Sequence, residues 1–69
     1  MGVMALNLVA GCEGGDCPEI FTNDDGDVVV KGYMIGSGDR AAIRFASDED
    51  AVVIPRSLLL RAAHGLEGP

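Results

Sequence analysis

The fold of this chain is decided by residues 19–35, which read EIFTNDDGDVVVKGYMI. Residues 19–22 have the composition of a short strand, and 23–27 form a polar turn in which Gly26 can take a positive φ. The run 28–35 is rich in the β-branched residues that favour strands. Two such runs joined by a glycine-containing turn predict a β-hairpin.

The sequence after this hairpin predicts a further strand. Residues 36–39 (GSGD) have turn composition, and residues 41–46 (AAIRFA) follow them. In that segment Ile43 and Phe45 alternate with Arg44, which is typical of a strand with one face in solvent. The hairpin and this strand together predict a three-stranded antiparallel meander.

The last third of the chain changes from a strand pattern to a helix pattern. Residues 51–54 (AVVI) predict a fourth short strand that ends at Pro55. From Arg56 onward the apolar residues follow helical spacing, and Gly65 is placed to end the helix. The predicted apolar stripe comprises Leu59, Ala62, Ala63 and Leu66.

The segment before the hairpin has two readings. Residues 3–9 fit either a short strand or an apolar arm, so the first ten residues are an N-terminal strand or arm. The glycine-rich residues 10–18 predict an irregular loop. The sequence therefore predicts a single small domain over residues 1–69. Its fold class is mostly β (α+β): a small antiparallel sheet of three to five strands with a short C-terminal helix.

Negative charge is concentrated in the first part of the chain. The formal net charge is −6, and residues 1–30 contain six acidic residues and no Lys or Arg. Residues 31–69 contain five acidic and five basic residues. An acidic surface repels phosphate backbones and attracts basic proteins. We expect no direct binding of nucleic acid, and a protein partner with a basic surface; alternatively, the charge only keeps a small protein soluble.

The two cysteines lie close together in the segment CEGGDC, residues 12–17. A structural zinc site uses four ligands, whereas this chain offers Cys12, Cys17 and His64 and would need Asp16 or a second copy to complete the set. We therefore expect no metal and no cofactor. A Cys12–Cys17 disulfide is geometrically allowed. The sequence favours two reduced thiols, with Cys17 partly buried.

The sequence argues against catalysis and against calcium binding. His64 lies in the last turn of the predicted helix, where a histidine commonly complements the helix dipole. No pattern supplies the nucleophile and orienting acid of a triad. In an EF-hand register set by Gly26, the first and twelfth positions would be Phe21 and Gly32, neither of which is acidic. We predict that the protein is not an enzyme.

Three segments carry a resemblance to a known family: residues 17–20 (CPEI), 27–31 (DVVVK) and 42–45 (AIRF). They resemble a family of small actinobacterial proteins of uncharacterised function, over about residues 17–60. In that family a Cys-x-Glu-Val strand, a valine-rich strand and a strand closing in Phe precede a short apolar helix, here represented by residues 58–60. The resemblance implies a partner among helix-turn-helix transcription regulators. At residues 32–33 this chain has Gly-Tyr where the family usually has Asp-Ser.

The expected function is that of a non-enzymatic protein-interaction module, a regulatory partner of a DNA-binding transcription regulator. The residues expected to form its contact surface are Glu19, Asp24, Asp25, Asp27, Tyr33 and Met34. One alternative is a small structural domain stabilised by metal or disulfide at the cysteines. Another is a homodimeric structural protein whose N-terminal segment adds a strand across subunits. No apolar run approaches the roughly 18 residues of a membrane span, and the N-terminus lacks a basic leader, so we expect a cytoplasmic protein.

Overall fold

The computed structural model describes residues 5–12 and 14–67. They form an α+β fold with a three-stranded antiparallel sheet in the order β1-β2-β3, a two-stranded sheet of β4 and β5, and a C-terminal helix. The elements are β1 Asn7–Ala10, β2 Glu19–Thr22, β3 Val28–Lys31, β4 Tyr33–Met34, α1 Ser37–Ala42, β5 Val52–Val53 and α2 Arg56–Glu67. The predicted fold class is confirmed.

The predicted hairpin is formed by β2 and β3, with Thr22 opposite Val28 and Glu19 opposite Lys31. Asn23 organises the turn, because its Oδ1 accepts hydrogen bonds from the backbone N–H groups of Asp25 at 3.0 Å and Asp27 at 2.9 Å. The Gly26 N–H donates to the Asn23 carbonyl, and Gly26 has φ +85°. This is the left-handed conformation that glycine adopts without steric cost.

The first strand supplies the third member of the sheet. Within the predicted segment, Asn7–Ala10 form β1, which pairs antiparallel with β2 through a bulge near Val9. Residues 1–4 of the predicted strand or arm lie outside the described residues. The loop predicted over 10–18 contains no helix or strand among its described members after Ala10.

The core lies where α2 packs over β1 and β2. Its buried members are Ala10, Ile20, Leu58 and Ala62. The predicted apolar stripe is therefore only partly correct, because Leu59 and Leu66 are about half exposed while Leu58 is buried. Gly65 does not end the helix. It lies inside α2, where an added Cβ would be 3.0 Å from the Val9 side chain, so its role is close packing.

The long strand predicted over residues 28–35 is interrupted at Gly32. After this residue the chain forms β4, which pairs with β5 in a separate ribbon, with Tyr33 opposite Val53 and Met34 opposite Val52. A Cβ at position 32 would lie 2.6 Å from the Val53 carbonyl oxygen and 2.8 Å from the Ile54 side chain. Glycine therefore allows residues 52–54 to pack closely against the chain between β3 and β4.

The turn predicted over 36–39 and the strand predicted over 41–46 are wrong. Residues Ser37–Ala42 form helix α1, so the third strand of the antiparallel meander is β1 and not residues 41–46. The physical reason is an interaction outside the local pattern: the Arg40 guanidinium lies 5.3 Å from the Phe45 ring centroid and donates to Asp50 at 2.8 Å. Phe45 is partly buried by this contact rather than by a sheet.

The chain is less compact than its length suggests. Its radius of gyration is 13.6 Å, compared with about 11 Å for a typical domain of this length. Its accessible surface is 5488 Å², whereas a monomer of this mass exposes about 4,100 Å². Much of the apolar surface is therefore left uncovered by the chain itself. Among the described residues, no helix has the length and hydrophobicity needed to span a membrane.

Candidate interaction surface

Three of the predicted contact residues form one exposed group at the tip of the β2–β3 hairpin. Asp24, Asp25 and Asp27 are all exposed, and the Asn23 side chain fixes the backbone that carries two of them. Within residues 5–12 and 14–67, neither of the two salt bridges involves these aspartates. We call them the acidic tip. The tip presents negative charge on a backbone that is already ordered.

Glu19 differs from these aspartates and does not belong to the exposed surface. Its exposed fraction is 7%, and its Oε1 lies 3.1 Å from the Lys31 Nζ. The same Lys31 ammonium donates to the Gly15 carbonyl, and Gly11 packs against the Glu19 side chain. Lys31 forms an ion pair with Glu19 and also binds the Gly15 carbonyl. This pair therefore connects the sheet to the cysteine loop. A partner could not reach Glu19 without disturbing the fold.

The other two predicted contact residues lie in the β4–β5 ribbon. Tyr33 is 57% exposed and Met34 is 88% exposed. The strand opposite contributes Val52 and Val53, which are 43% and 44% exposed. We call these four residues the ribbon surface; Tyr33 and Val53 lie on one face of the ribbon, and Met34 and Val52 lie on the other. A ribbon with only two residue pairs and no covered face is marginal in water, so these side chains are available to a partner.

The cysteine loop borders a shallow cleft next to the start of α2. Cys12 and Cys17 form a disulfide with their Cα atoms 6.2 Å apart, which differs from the expectation of two reduced thiols. The cleft has a volume of about 320 Å³. Its lining residues are Gly11, Cys12, Cys17, Pro18, Pro55, Ser57, Leu58 and Arg61. The disulfide thus links the end of β1 to the beginning of β2 beside the core.

Removing this disulfide is expected to destabilise the fold measurably. Closing the loop of residues 12–17 lowers the entropy of the unfolded chain, which stabilises the folded state by about 2 kcal/mol in the chain-entropy model. In a chain this small that loss lowers the thermal midpoint by roughly 10 °C. Circular dichroism melts of wild type and of Cys12→Ser with Cys17→Ser, each with and without a thiol reductant, check this. Reductant should shift only the wild type, and an unshifted wild-type melt contradicts the prediction.

His64, the remaining candidate metal ligand, lies on an exposed part of α2. In the described part of the chain, no group of three or more His, Cys, Asp or Glu side chains is arranged to hold a metal ion. Cys12 and Cys17 are engaged with each other in the disulfide. The structure therefore does not bring the three candidate ligands together.

Asp50 fixes the long connection between α1 and β5. The hydrogen bond from Arg40, the backbone N–H of Ala51 and the charge of Arg40 hold the pKa of Asp50 below the ordinary aspartate value. A lowered pKa in the folded state means that this contact stabilises above the ordinary pKa and is lost as pH falls through the lowered one. Both side chains are well exposed, so solvent screening keeps the contribution small.

Sequence reasoning missed one further exposed surface, on α2. Leu59, Ala63 and Leu66 share one side of the helix and are exposed, next to the buried stripe of Leu58 and Ala62. The consecutive leucines at 58–60 are the sequence feature that could have predicted this exposed surface. Three adjacent leucines span about 200° of a helix, which is wider than one buried face.

Comparison with known proteins gives no match to a family model, to a curated protein or to a solved structure.

Proposed function

We propose that this protein is a non-enzymatic interaction module that docks through its ribbon surface and acidic tip onto a protein partner with a basic surface. The observation that carries the proposal is the exposure of the ribbon surface, above all the 88% exposure of Met34. Exposed apolar patches on small domains commonly mark binding sites. Tyrosine and methionine are also enriched in the buried centres of protein interfaces.

Charge defines the kind of partner. The net charge is −6, and the acidic tip is a group of three carboxylates free of ion pairs among the described residues. Complementary charge speeds encounter and selects orientation, so a basic surface fits this face. A DNA-binding regulator has such a surface, and the resemblance of residues 17–60 to partners of helix-turn-helix regulators supports the same choice. We propose that the interaction takes place in the cytoplasm, where thiol reductants would keep Cys12 and Cys17 reduced; the proposed contact uses neither cysteine.

The test is a pull-down from native cell extract with the purified protein, read by quantitative mass spectrometry. One variant carries Asp24→Asn, Asp25→Asn and Asp27→Asn, and a second carries Tyr33→Ser and Met34→Ser. A matched control carries Asp16→Asn, Asp39→Asn and Asp48→Asn, which removes the same charge from exposed positions elsewhere. Because Glu19 is buried against Lys31, it is left unchanged.

The expected result is a DNA-binding protein retained by wild type and by the matched control. Both test variants should retain it at least about tenfold less, since each removes a part of the contact. If the matched control loses the partner to the same extent as the test variants, the effect is one of general charge and the proposal is contradicted. A retained partner that survives both test variants would also contradict it.

The Cys12–Cys17 disulfide favours one second candidate, a small structural domain held by this covalent link. A domain with this role needs no contact surface for a partner, and it depends on the oxidised cysteine loop. The two are separated by the same pull-down, because a purely structural domain would retain nothing that the ribbon variant loses.

A further inference from the structure

The exposed side of α2 has a regular order of residues along its length. From the beginning of the helix to its end this side carries Arg56, Leu59, Ala63, Leu66 and Glu67. All five are exposed, and Leu59 and Leu66 are 55% and 47% exposed. We call these residues the α2 flank. Its ends carry opposite charges, and its centre is a small residue between two leucines.

This order is complementary to itself when reversed. If a second α2 packs against the first in the antiparallel direction and crosses it at the level of Ala62, the two Ala63 residues lie about 3 Å apart along the helix axis. In this register each Leu59 lies within one residue of the level of the other copy's Leu66, and each Arg56 lies within one residue of the level of its Glu67. Small residues at the crossing point allow helices to approach closely, and antiparallel helix dipoles attract. A surface that pairs with its own copy in this way is what a two-fold dimer requires.

The face of the sheet under α2 also has exposed apolar side chains. Val28 and Val30 lie opposite Thr22 and Ile20, so they share the face on which Ile20 contacts the core under α2. Helix α2 packs over β1 and β2, and the two valines remain 48% and 39% exposed. They leave exposed apolar side chains on β3, on the face of the sheet that carries α2.

The amount of uncovered surface matches what a dimer needs. The chain exposes 5488 Å², about 1,400 Å² more than expected for a monomer of its mass. A stable protein interface buries about 800 Å² on each partner. The excess therefore accommodates one such interface and leaves the ribbon surface for another contact.

We infer that the protein forms a homodimer through the α2 flank, with two antiparallel α2 helices packed over Val28 and Val30 of both copies. A second copy of the chain fits this surface because the flank has a positive charge at one end and a negative charge at the other. Two copies packed antiparallel therefore bring opposite charges together. This inference does not depend on the proposed function, since the ribbon surface and the acidic tip lie outside the flank.

The experiment is sedimentation equilibrium of the purified full chain from roughly 1 to 100 µM, a range that covers the weaker affinities of such interfaces. The expected mass is twice the 7.1 kDa of the chain. Ala63→Glu places like charges at the crossing point and should raise the dissociation constant by at least about tenfold. His64→Glu, on the same helix but outside the flank, is the matched control and should leave the dimer intact.

Charge reversal tests the antiparallel register. Arg56→Glu and Glu67→Arg should each weaken the dimer by about fivefold, since each places like charges together twice in the dimer. The double variant, Arg56→Glu with Glu67→Arg, should restore wild-type association. Circular dichroism checks that each variant stays folded. A monomer over the whole concentration range overturns the inference, and so does a dimer that Ala63→Glu leaves unchanged or a double variant that fails to restore it.

Discussion

Replacing Leu58 with alanine is expected to remove most of the stability of the fold and to leave a free energy of unfolding of about 0 to 2 kcal/mol at room temperature. Leu58 is 3% exposed and is the largest α2 side chain in the core, where it joins Ile20 and Ala10. Truncation of a buried leucine costs about 3 kcal/mol through lost transfer energy and the remaining cavity. Domains of this size rarely have a free energy of unfolding above about 3 to 5 kcal/mol, so the loss is most of the total stability.

Urea titration followed by circular dichroism measures this effect. Leu60→Ala is the control, because it makes the same chemical change on the same helix at a side chain that is 60% exposed. Its free energy of unfolding should change by less than about 0.5 kcal/mol. Equal losses in the two variants would mean that α2 does not dock through Leu58.

Gly32→Ala is expected to disrupt the junction between the two sheets. The new Cβ would lie 2.6 Å from the Val53 carbonyl oxygen, a backbone atom that cannot move without breaking the β4–β5 pairing. Overpacking of this kind costs up to about 3 kcal/mol, which lowers the thermal midpoint by roughly 15 °C in a chain this small. Differential scanning calorimetry gives the midpoint.

Gly38→Ala is the matched control for this prediction. Position 38 lies in α1, and a Cβ there meets nothing within 4 Å. Alanine is the better helix former by about 1 kcal/mol, so this variant should keep or raise the midpoint. If Gly32→Ala melts at the same temperature as Gly38→Ala, the close packing of residues 52–54 against Gly32 is wrong.

Sequence reasoning succeeded where local chemistry determines the structure. The β2–β3 hairpin follows from the turn preferences of Asn23 and Gly26, and the start of α2 follows from the change in apolar spacing after Pro55. It failed for residues 37–46, because the alternation of Ile43 and Phe45 indicates a strand while the actual partner of Phe45 is Arg40. That contact forms only in the folded chain.

The candidate surface was predictable to a similar degree. Polar turn residues face solvent, so the exposure of Asp24, Asp25 and Asp27 could be predicted from sequence alone. The burial of Glu19 could not, because it depends on Lys31 across the hairpin and on Gly11 in the cysteine loop. The side of α2 that faces the sheet was also misassigned, since Leu58 and Leu59 are equally apolar and only the docking angle separates them.

The Asn23 turn also sets an order of events during folding. Its hydrogen bonds join residues only two and four positions apart, so the hairpin of β2 and β3 can close without any distant segment. Hairpins form in about 1 to 10 µs, whereas contacts between distant segments wait for a long loop to close. The core contacts of Ala10 and Ile20 with Leu58 are of the second kind. During synthesis the acidic hairpin can therefore form before the hydrophobic core does. The core forms only when α2 packs on the sheet.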